Sequence, residues 1–167
     1  MSLKIIILAG GKGTRIRSVI GNTPKILASV AGKPFLEWFL TWINDWKLKV
    51  DFEILISTCI GHEQINDYCL KKNYNIKCIK EERPLGTFGA IANVASQYYS
   101  KDYLVLNGDT IFKADFNMIF NSFKKQKENL PLIILKESTT NERYGGYENT
   151  NAGWIFSNKR TSYISMG

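Results

Sequence analysis

The sequence predicts an α/β fold with parallel strands, and three observations predict it. β-Branched runs alternate with stretches of helical spacing along the chain. The first run, Leu3 to Leu8, is apolar without interruption apart from Lys4, as a strand buried on both faces is. A glycine-rich loop then follows that run directly. Open sheets of this class bind ligands beyond the carboxyl ends of their strands, which is where such a loop emerges.

The elements follow in order. The strand at 3–8 is succeeded by a helix over 34–47, in which Pro34 suits the first turn and Phe35, Leu36, Phe39, Leu40 and Ile43 recur at helical spacing. Trp38, Trp42 and Trp46 add a second ridge at i, i+4, so this helix is apolar around much of its circumference. Burial between helix and sheet accounts for that ridge, with a homo-oligomer interface as the second reading. A strand over 52–58, a helix over 63–72, a strand over 76–80 and a helix over 87–98 come next. A strand over 103–106 ends at Asn107-Gly108-Asp109, and a helix over 116–127 and a strand over 132–136 complete the series. Strands alternating with helices pair in parallel through crossover helices. No repeat, low-complexity tract or linker interrupts the chain, so 1–167 reads as one domain.

Composition narrows the function classes. The chain has 167 residues, enough for a substantial core, and Lys+Arg 22 against Asp+Glu 15 gives a net charge of +7. That balance suits anionic partners, but no basic helix interleaved with aromatics and no zinc knuckle points to nucleic acid. The cysteines Cys59, Cys69 and Cys78 lack C-x-x-C spacing and are odd in number, so neither a disulfide framework nor a zinc site is indicated. The first apolar run is too short for a signal peptide or a membrane span, which predicts a cytoplasmic protein with no membrane partner.

The loop Leu8-Ala9-Gly10-Gly11-Lys12-Gly13-Thr14-Arg15, with Pro24-Lys25 behind it, carries the chemistry. No Asp or Glu precedes Glu37, whereas Lys4, Lys12, Arg15, Arg17, Lys25 and Lys33 are all cationic. Glycine backbone can press against phosphate while the cations neutralise it, so this region would draw a nucleoside triphosphate. Two familiar phosphate loops do not fit. The dinucleotide fingerprint needs a third glycine at Ile16, and a P-loop needs Lys then Ser or Thr after its second glycine. A tight turn between strand and helix is the competing reading of the glycines.

These residues resemble the signature of the sugar-1-phosphate nucleotidyltransferases, the nucleotide-sugar pyrophosphorylases. Further matches lie in the family's order: Pro84-Leu85-Gly86-Thr87, then Leu106-Asn107-Gly108-Asp109, then Arg143-Tyr144-Gly145. Within the family, Pro34-Phe35-Leu36-Glu37 and Arg143-Tyr144-Gly145 are most similar to D-glycero-D-manno-heptose 1-phosphate guanylyltransferases. The resemblance implies a Rossmann-like three-layer sandwich of the nucleotide-diphospho-sugar transferase type with a mostly parallel mixed sheet. It also implies that the family's C-terminal part, with its second metal-binding aspartate, is missing from 1–167. The implied reaction is attack of a sugar 1-phosphate oxygen on the α-phosphorus of a nucleoside triphosphate, giving nucleotide sugar and pyrophosphate.

By the same resemblance, Arg15 grips the triphosphate, Lys25 reaches the α-phosphate or the sugar phosphate, and Asp109 binds Mg²⁺. Leu8, Ala9, Gly10, Gly11, Gly13 and Thr14 surround the nucleotide. Gly86 and Thr87 let backbone approach the base, while Phe88 stands where a small residue is usual and would crowd the site. Gly145 is carried over as a sugar-phosphate contact. Glu81 stands where relatives that use uridine or thymidine have glutamine. Guanine offers two neighbouring donors, N1–H and the 2-amino group, which a carboxylate accepts together, so Glu81 favours GTP. Its other reading is a solvated acid in the Glu81-Glu82-Arg83 charge cluster. His62, the only histidine, reads as a surface helix start. The alternative function is a non-catalytic or truncated nucleotide- or sugar-phosphate-binding module.

Overall fold

A computed structural model of the chain describes residues 2–11, 13–126, 130–137, 146–151, 153–157 and 163–165. It divides into two compact units, 1–117 and 118–167. The first opens with β1 (Leu3–Leu8), a single turn α1 (Arg17–Ile20), a small hairpin of β2 (Ser29–Val30) and β3 (Lys33–Pro34), and α2 (Phe35–Asn44). β4 (Phe52–Thr58), α3 (His62–Lys71), β5 (Ile76–Lys80), α4 (Gly86–Gln97) and β6 (Tyr103–Asn107) follow.

The four long strands form one parallel sheet in the order β5-β4-β1-β6. β1 lies centrally, and its Ile5, Ile6 and Ile7 are fully buried, each contributing about 1.5–3 kcal/mol of apolar transfer. Alternation puts Ile6 and Leu55 on one face, where they pack with Ile79 and with Val94 of α4. The chain steps outward from β1 to β4 to β5, then returns across β1 to β6. Right-handed crossovers therefore place α2 and α3 on one face and α4 on the other, which is the three-layer arrangement. Register then builds the functional edge. Leu8 stands level with Ser57 of β4 and Asn107 of β6, so the loops after all three strands leave the sheet at one edge. The opposite edge carries Glu53, which accepts from both Lys4 and Lys77.

Several predicted boundaries shift, each for a local reason. Pro34 precedes the helix as its cap, with ψ 142, and pairs within the β2–β3 hairpin instead of starting the first turn. α2 ends at Asn44, short of 47, because Trp46 N–H bonds to Ile43 three residues back and Lys47 adopts φ 46, which no helix continues. Trp46 therefore leaves the helical ridge, yet it stacks on Phe116 at 3.5 Å between centroids. Trp42 lies edge-on to Phe39, Trp46, Phe112 and Phe116, and Trp38 Nε1–H donates to Val30 O with Lys33 Nζ 3.7 Å above its ring. Trp38, Trp42 and Trp46 are thus packed within the first unit. Cys59, Cys69 and Cys78 are free thiols.

α5 (Phe116–Lys124) crosses the division between the units and ends three residues before the predicted 127. The second unit contains an antiparallel sheet of β7 (Leu135–Glu137), β8 (Gly146–Thr150), β9 (Gly153–Ser157) and β10 (Tyr163–Ser165), in the order β7-β10-β8-β9. Only β7 has a predicted counterpart, displaced from 132–136. β8 carries a single large apolar residue, Tyr147, and its strand character comes from pairing with β9, where Tyr147 meets Phe156 edge-on at 5.6 Å. The antiparallel strands thus form a sheet of their own, separate from the parallel one. No helix among the described residues is long and apolar enough to cross a membrane.

Candidate active site

A cleft of about 280 Å³ opens beyond the carboxyl ends of β1 and β6, lined on one side by Leu8, Ala9, Gly11 and the Gly13-to-Ile16 turn, and on the other by Lys25, Ile26, Gly108 and Asp109. Strand order reverses beside β1, the place where open α/β sheets bind ligands. Ala9 N–H donates to Ser57 O and prolongs the β1 pairing by one residue before the glycines release the chain. Gly13 then takes the left-handed conformation, φ 57 and ψ 23, and starts the single 3-10 turn Thr14–Ile16 that carries Arg15 to the cleft. The 3-10 turn Lys25–Leu27 behaves alike: Pro24 caps it, Ile26 is lodged in the core at 2% exposure, and Lys25 faces the cleft.

Lys25 Nζ donates to Asp109 Oδ2 at 2.6 Å, across 84 positions of sequence. Asp109 also accepts from Thr110 Oγ1 at 3.0 Å on its other oxygen. Partial burial pushes the Asp109 carboxyl up, but the hydrogen bonds from Lys25 and Thr110, with the Lys25 charge, outweigh it and hold the group below its ordinary value.

Gly108 is the residue that lets the two loops meet. Its N–H donates to Leu8 O at 2.9 Å, and a Cβ there would lie 2.8 Å from that carbonyl and 3.1 Å from Ile7 Cγ2. It is absent from the predicted site residues, as are Ile16 and Ile26, although all three line the cleft. Gly108 stands inside the Asn-Gly-Asp motif, so its position was readable; its reason was not.

Of the predicted residues, Leu8, Ala9, Gly11, Gly13, Thr14, Arg15, Lys25 and Asp109 come together in the cleft. Gly10, Glu81, Gly86 and Thr87 do not line it. Glu81 is buried, at 5% exposure, which overturns its reading as a solvated acid. Its Oε1 accepts from Ser57 Oγ at 2.9 Å and its Oε2 from Leu85 N–H at 3.0 Å. Gly10 lies against it, since a Cβ on residue 10 would sit 2.8 Å from Oε1. The carboxylate thus joins the end of β4, the β1 loop and the turn into α4. Gly86, with φ 70, and Thr87 open α4 and are exposed. Phe88 is 87% exposed and points outward, so it does not crowd the cleft as the sequence suggested. His62 starts α3 as predicted, with Nδ1 2.7 Å from Thr58 Oγ1. Gly145, with the rest of Arg143-Tyr144-Gly145, lies outside the described residues.

Similarity to known proteins places the chain in a family. The family model described as "Nucleotidyl transferase" matches residues 4–157. The chain belongs to the nucleotidyl transferase family. It is 36% identical over 149 residues to a D-glycero-alpha-D-manno-heptose 1-phosphate guanylyltransferase of Aneurinibacillus thermoaerophilus, covering 86% of this chain and 61% of that protein. A protein of the same name from Campylobacter jejuni is 34% identical over 146 residues, covering 86% and 62%. Among solved structures, HddC from Yersinia pseudotuberculosis complexed with GMP-PN superposes with a TM-score of 0.74 at 28% identity, over 98% of this chain and 73% of that one. The chain thus spans about three-fifths of the length of the curated relatives it matches.

The described residues of the chain contain no group of three His, Cys, Asp or Glu side chains able to hold a metal ion by themselves. Among the described residues, Asp109 is the one that presents a carboxylate to the cleft. That donor set fits Mg²⁺, which is bound through one or two carboxylates together with substrate phosphates and water.

Proposed function

We propose that the chain forms the nucleotide-binding part of an enzyme that transfers GMP from GTP to a heptose or hexose 1-phosphate, releasing pyrophosphate, in the cytoplasm and for surface polysaccharide synthesis. The observation that carries this reading is the convergence of Arg15, Lys25, Asp109 and the glycine loop on one cleft at the carboxyl edge of a parallel sheet. The guanylyltransferase names of the relatives, and the GMP-PN held by a structural neighbour, support GTP.

The attacking sugar phosphate oxygen is already an anion, so no general base is needed. It forms a bond to the α-phosphorus while the bond from that phosphorus to the β-phosphate bridging oxygen breaks, and pyrophosphate leaves with the electron pair. What the site must do is hold two repelling anions in line and neutralise charge on the transferring and leaving groups. Arg15 grips the triphosphate with its guanidinium fork, and backbone N–H groups of Gly11, Gly13 and Thr14 add donors. Lys25 turns from Asp109 to the phosphate undergoing attack. Asp109 would hold Mg²⁺, which when bound supplies further neutralisation of phosphate charge. Glu81, fixed as an acceptor by two protein donors, suits the paired donors of guanine, with Gly10, Gly86 and Thr87 providing close backbone. Gly145 is read as a sugar-phosphate contact.

The test is Mg²⁺-dependent pyrophosphate release from GTP with a panel of sugar 1-phosphates. Release is expected with at least one pair, and Lys25→Ala should lower kcat about 100-fold or more, as removal of a charge-stabilising donor does. No release from any pair would overturn the proposal.

A further inference from the structure

We propose that Gly61 is a positioning residue for Lys25, acting through Pro24. This rests on the assignment of Lys25 to the phosphate site. Gly61 caps the start of α3 with φ 77 and ψ 20, a conformation that already disfavours any side chain. Beyond that, a Cβ on residue 61 would stand 2.3 Å from Pro24 Cγ, 3.2 Å from its Cβ and 3.4 Å from its Cδ. The bare Cα of Gly61 is therefore the seat on which the Pro24 ring rests. Pro24 in turn caps the turn that presents Lys25, its carbonyl accepting from Leu27 N–H at 2.8 Å.

Neither side of the contact can yield cheaply. On the Pro24 side, the ring is rigid and Ile26, two residues on, is locked in the core at 2% exposure. On the Gly61 side, Ile65 N–H bonds to Gly61 O at 3.1 Å, Ile65 is fully buried, and Thr58, also fully buried, bonds to His62. A methyl at position 61 must displace the Pro24–Lys25 backbone or α3, and an ångström of displacement is enough to take Lys25 Nζ off a partner at 2.6 Å. Gly61 carries no chemistry and lies 36 positions from Lys25, yet it sets the height at which that amine enters the cleft.

The test reads Lys25 itself. Trace acylation of lysines, quantified by peptide mass spectrometry, reports how firmly each amine is held by its carboxylate partner, and Asp109→Ala supplies the rate for an unpaired Lys25. Gly61→Ala is expected to raise Lys25 labelling about threefold, the scale of an exposed ion pair. Pro24→Ala should raise it as well, by emptying the seat. The double variant Gly61→Ala/Pro24→Ala should lie closer to wild type than either single change, because the new methyl occupies the space the ring leaves, a non-additivity that general destabilisation does not produce. Lys77, paired with Glu53 at the other edge of the sheet, should label alike in every variant. Unchanged Lys25 labelling in Gly61→Ala, or additive effects in the double variant, would overturn the proposal. If Gly61→Ala does not fold, the double variant should still label Lys25 closer to the wild-type rate than Pro24→Ala does, and labelling at or above the Pro24→Ala rate would overturn the proposal. Nucleotide binding is measured separately: a wild-type chain that binds no GTP would remove the functional reading, while the labelling pattern would still decide the role of Gly61.

Discussion

At the scale of single residues, the cleft is governed by one ion pair whose members are 84 positions apart. Lys25 and Asp109 hold each other, and both are about half exposed, so the pair adds little to stability and chiefly fixes where the two side chains stand. Its pH dependence follows from the lowered Asp109 value. A carboxyl with a depressed folded pKa contributes in full above the ordinary Asp value of about 3.9, and the contribution is lost as pH falls through the folded value. Carboxyl-carbon NMR should find Asp109 titrating below the ordinary range, and Lys25→Met should move it upward; an unmoved titration would show that Lys25 is not the cause. The cations and the aspartate were legible in the sequence because their chemistry is carried by residue type. Ser57 was not, because a serine in a β-branched strand announces nothing until its hydroxyl is found 2.9 Å from a buried Glu81.

At the scale of elements, α2 shows how a tertiary partner edits a periodic pattern. Its core face was readable from spacing: Leu36, Phe39, Leu40 and Ile43 are all buried. Its tryptophan ridge was readable as apolar, but not its partners. Trp42 Nε1–H donates to Phe112 O at 2.9 Å and its ring meets Phe112 and Phe116, residues some 70 positions away that follow β6. α2 is thereby tied to the segment that follows β6 and Asp109. Trp42→Ala should therefore cost about 3 kcal/mol in denaturant unfolding, from lost packing and an unpaired Phe112 carbonyl. Trp42→Phe should recover most of it. A loss within about 0.5 kcal/mol for Trp42→Ala, the range of an ordinary surface change, would mean that the aromatic cluster does not hold the helix to its neighbour.

At the scale of the whole molecule, the parallel sheet brings Leu8, Ser57 and Asn107 level, so loops widely separated in sequence share one edge. A nucleotide gripped by several of those loops binds the folded chain and not the unfolded one. GTP with Mg²⁺ should accordingly raise the melting temperature, by the equivalent of about 2.7 kcal/mol at roughly 100 times its dissociation constant. UTP, dTTP and CTP should raise it less if Glu81 reads the base. Equal shifts with all four would remove Glu81 from that role, and none at millimolar concentration would remove the nucleotide site.

Local pattern was enough to read the four parallel strands and helices α2, α3 and α4 of the first unit, the loop of glycines and cations, and the family to which the chain belongs, though not α1 or the β2–β3 hairpin. Each of these is written in neighbouring residues: β-branched runs, helical spacing, glycines beside cations. Pattern did not reach β8, β9 and β10, whose strand character comes from pairing with one another, nor the end of α2, where Lys47 turns the chain left-handed. The folded arrangement was needed to show why Gly108 and Gly61 are glycines, that Glu81 is buried and doubly bonded, and that Lys25 meets Asp109. Those facts depend on which atoms approach one another across the fold. Approach distances are set by register and packing between distant segments, and no local pattern encodes them.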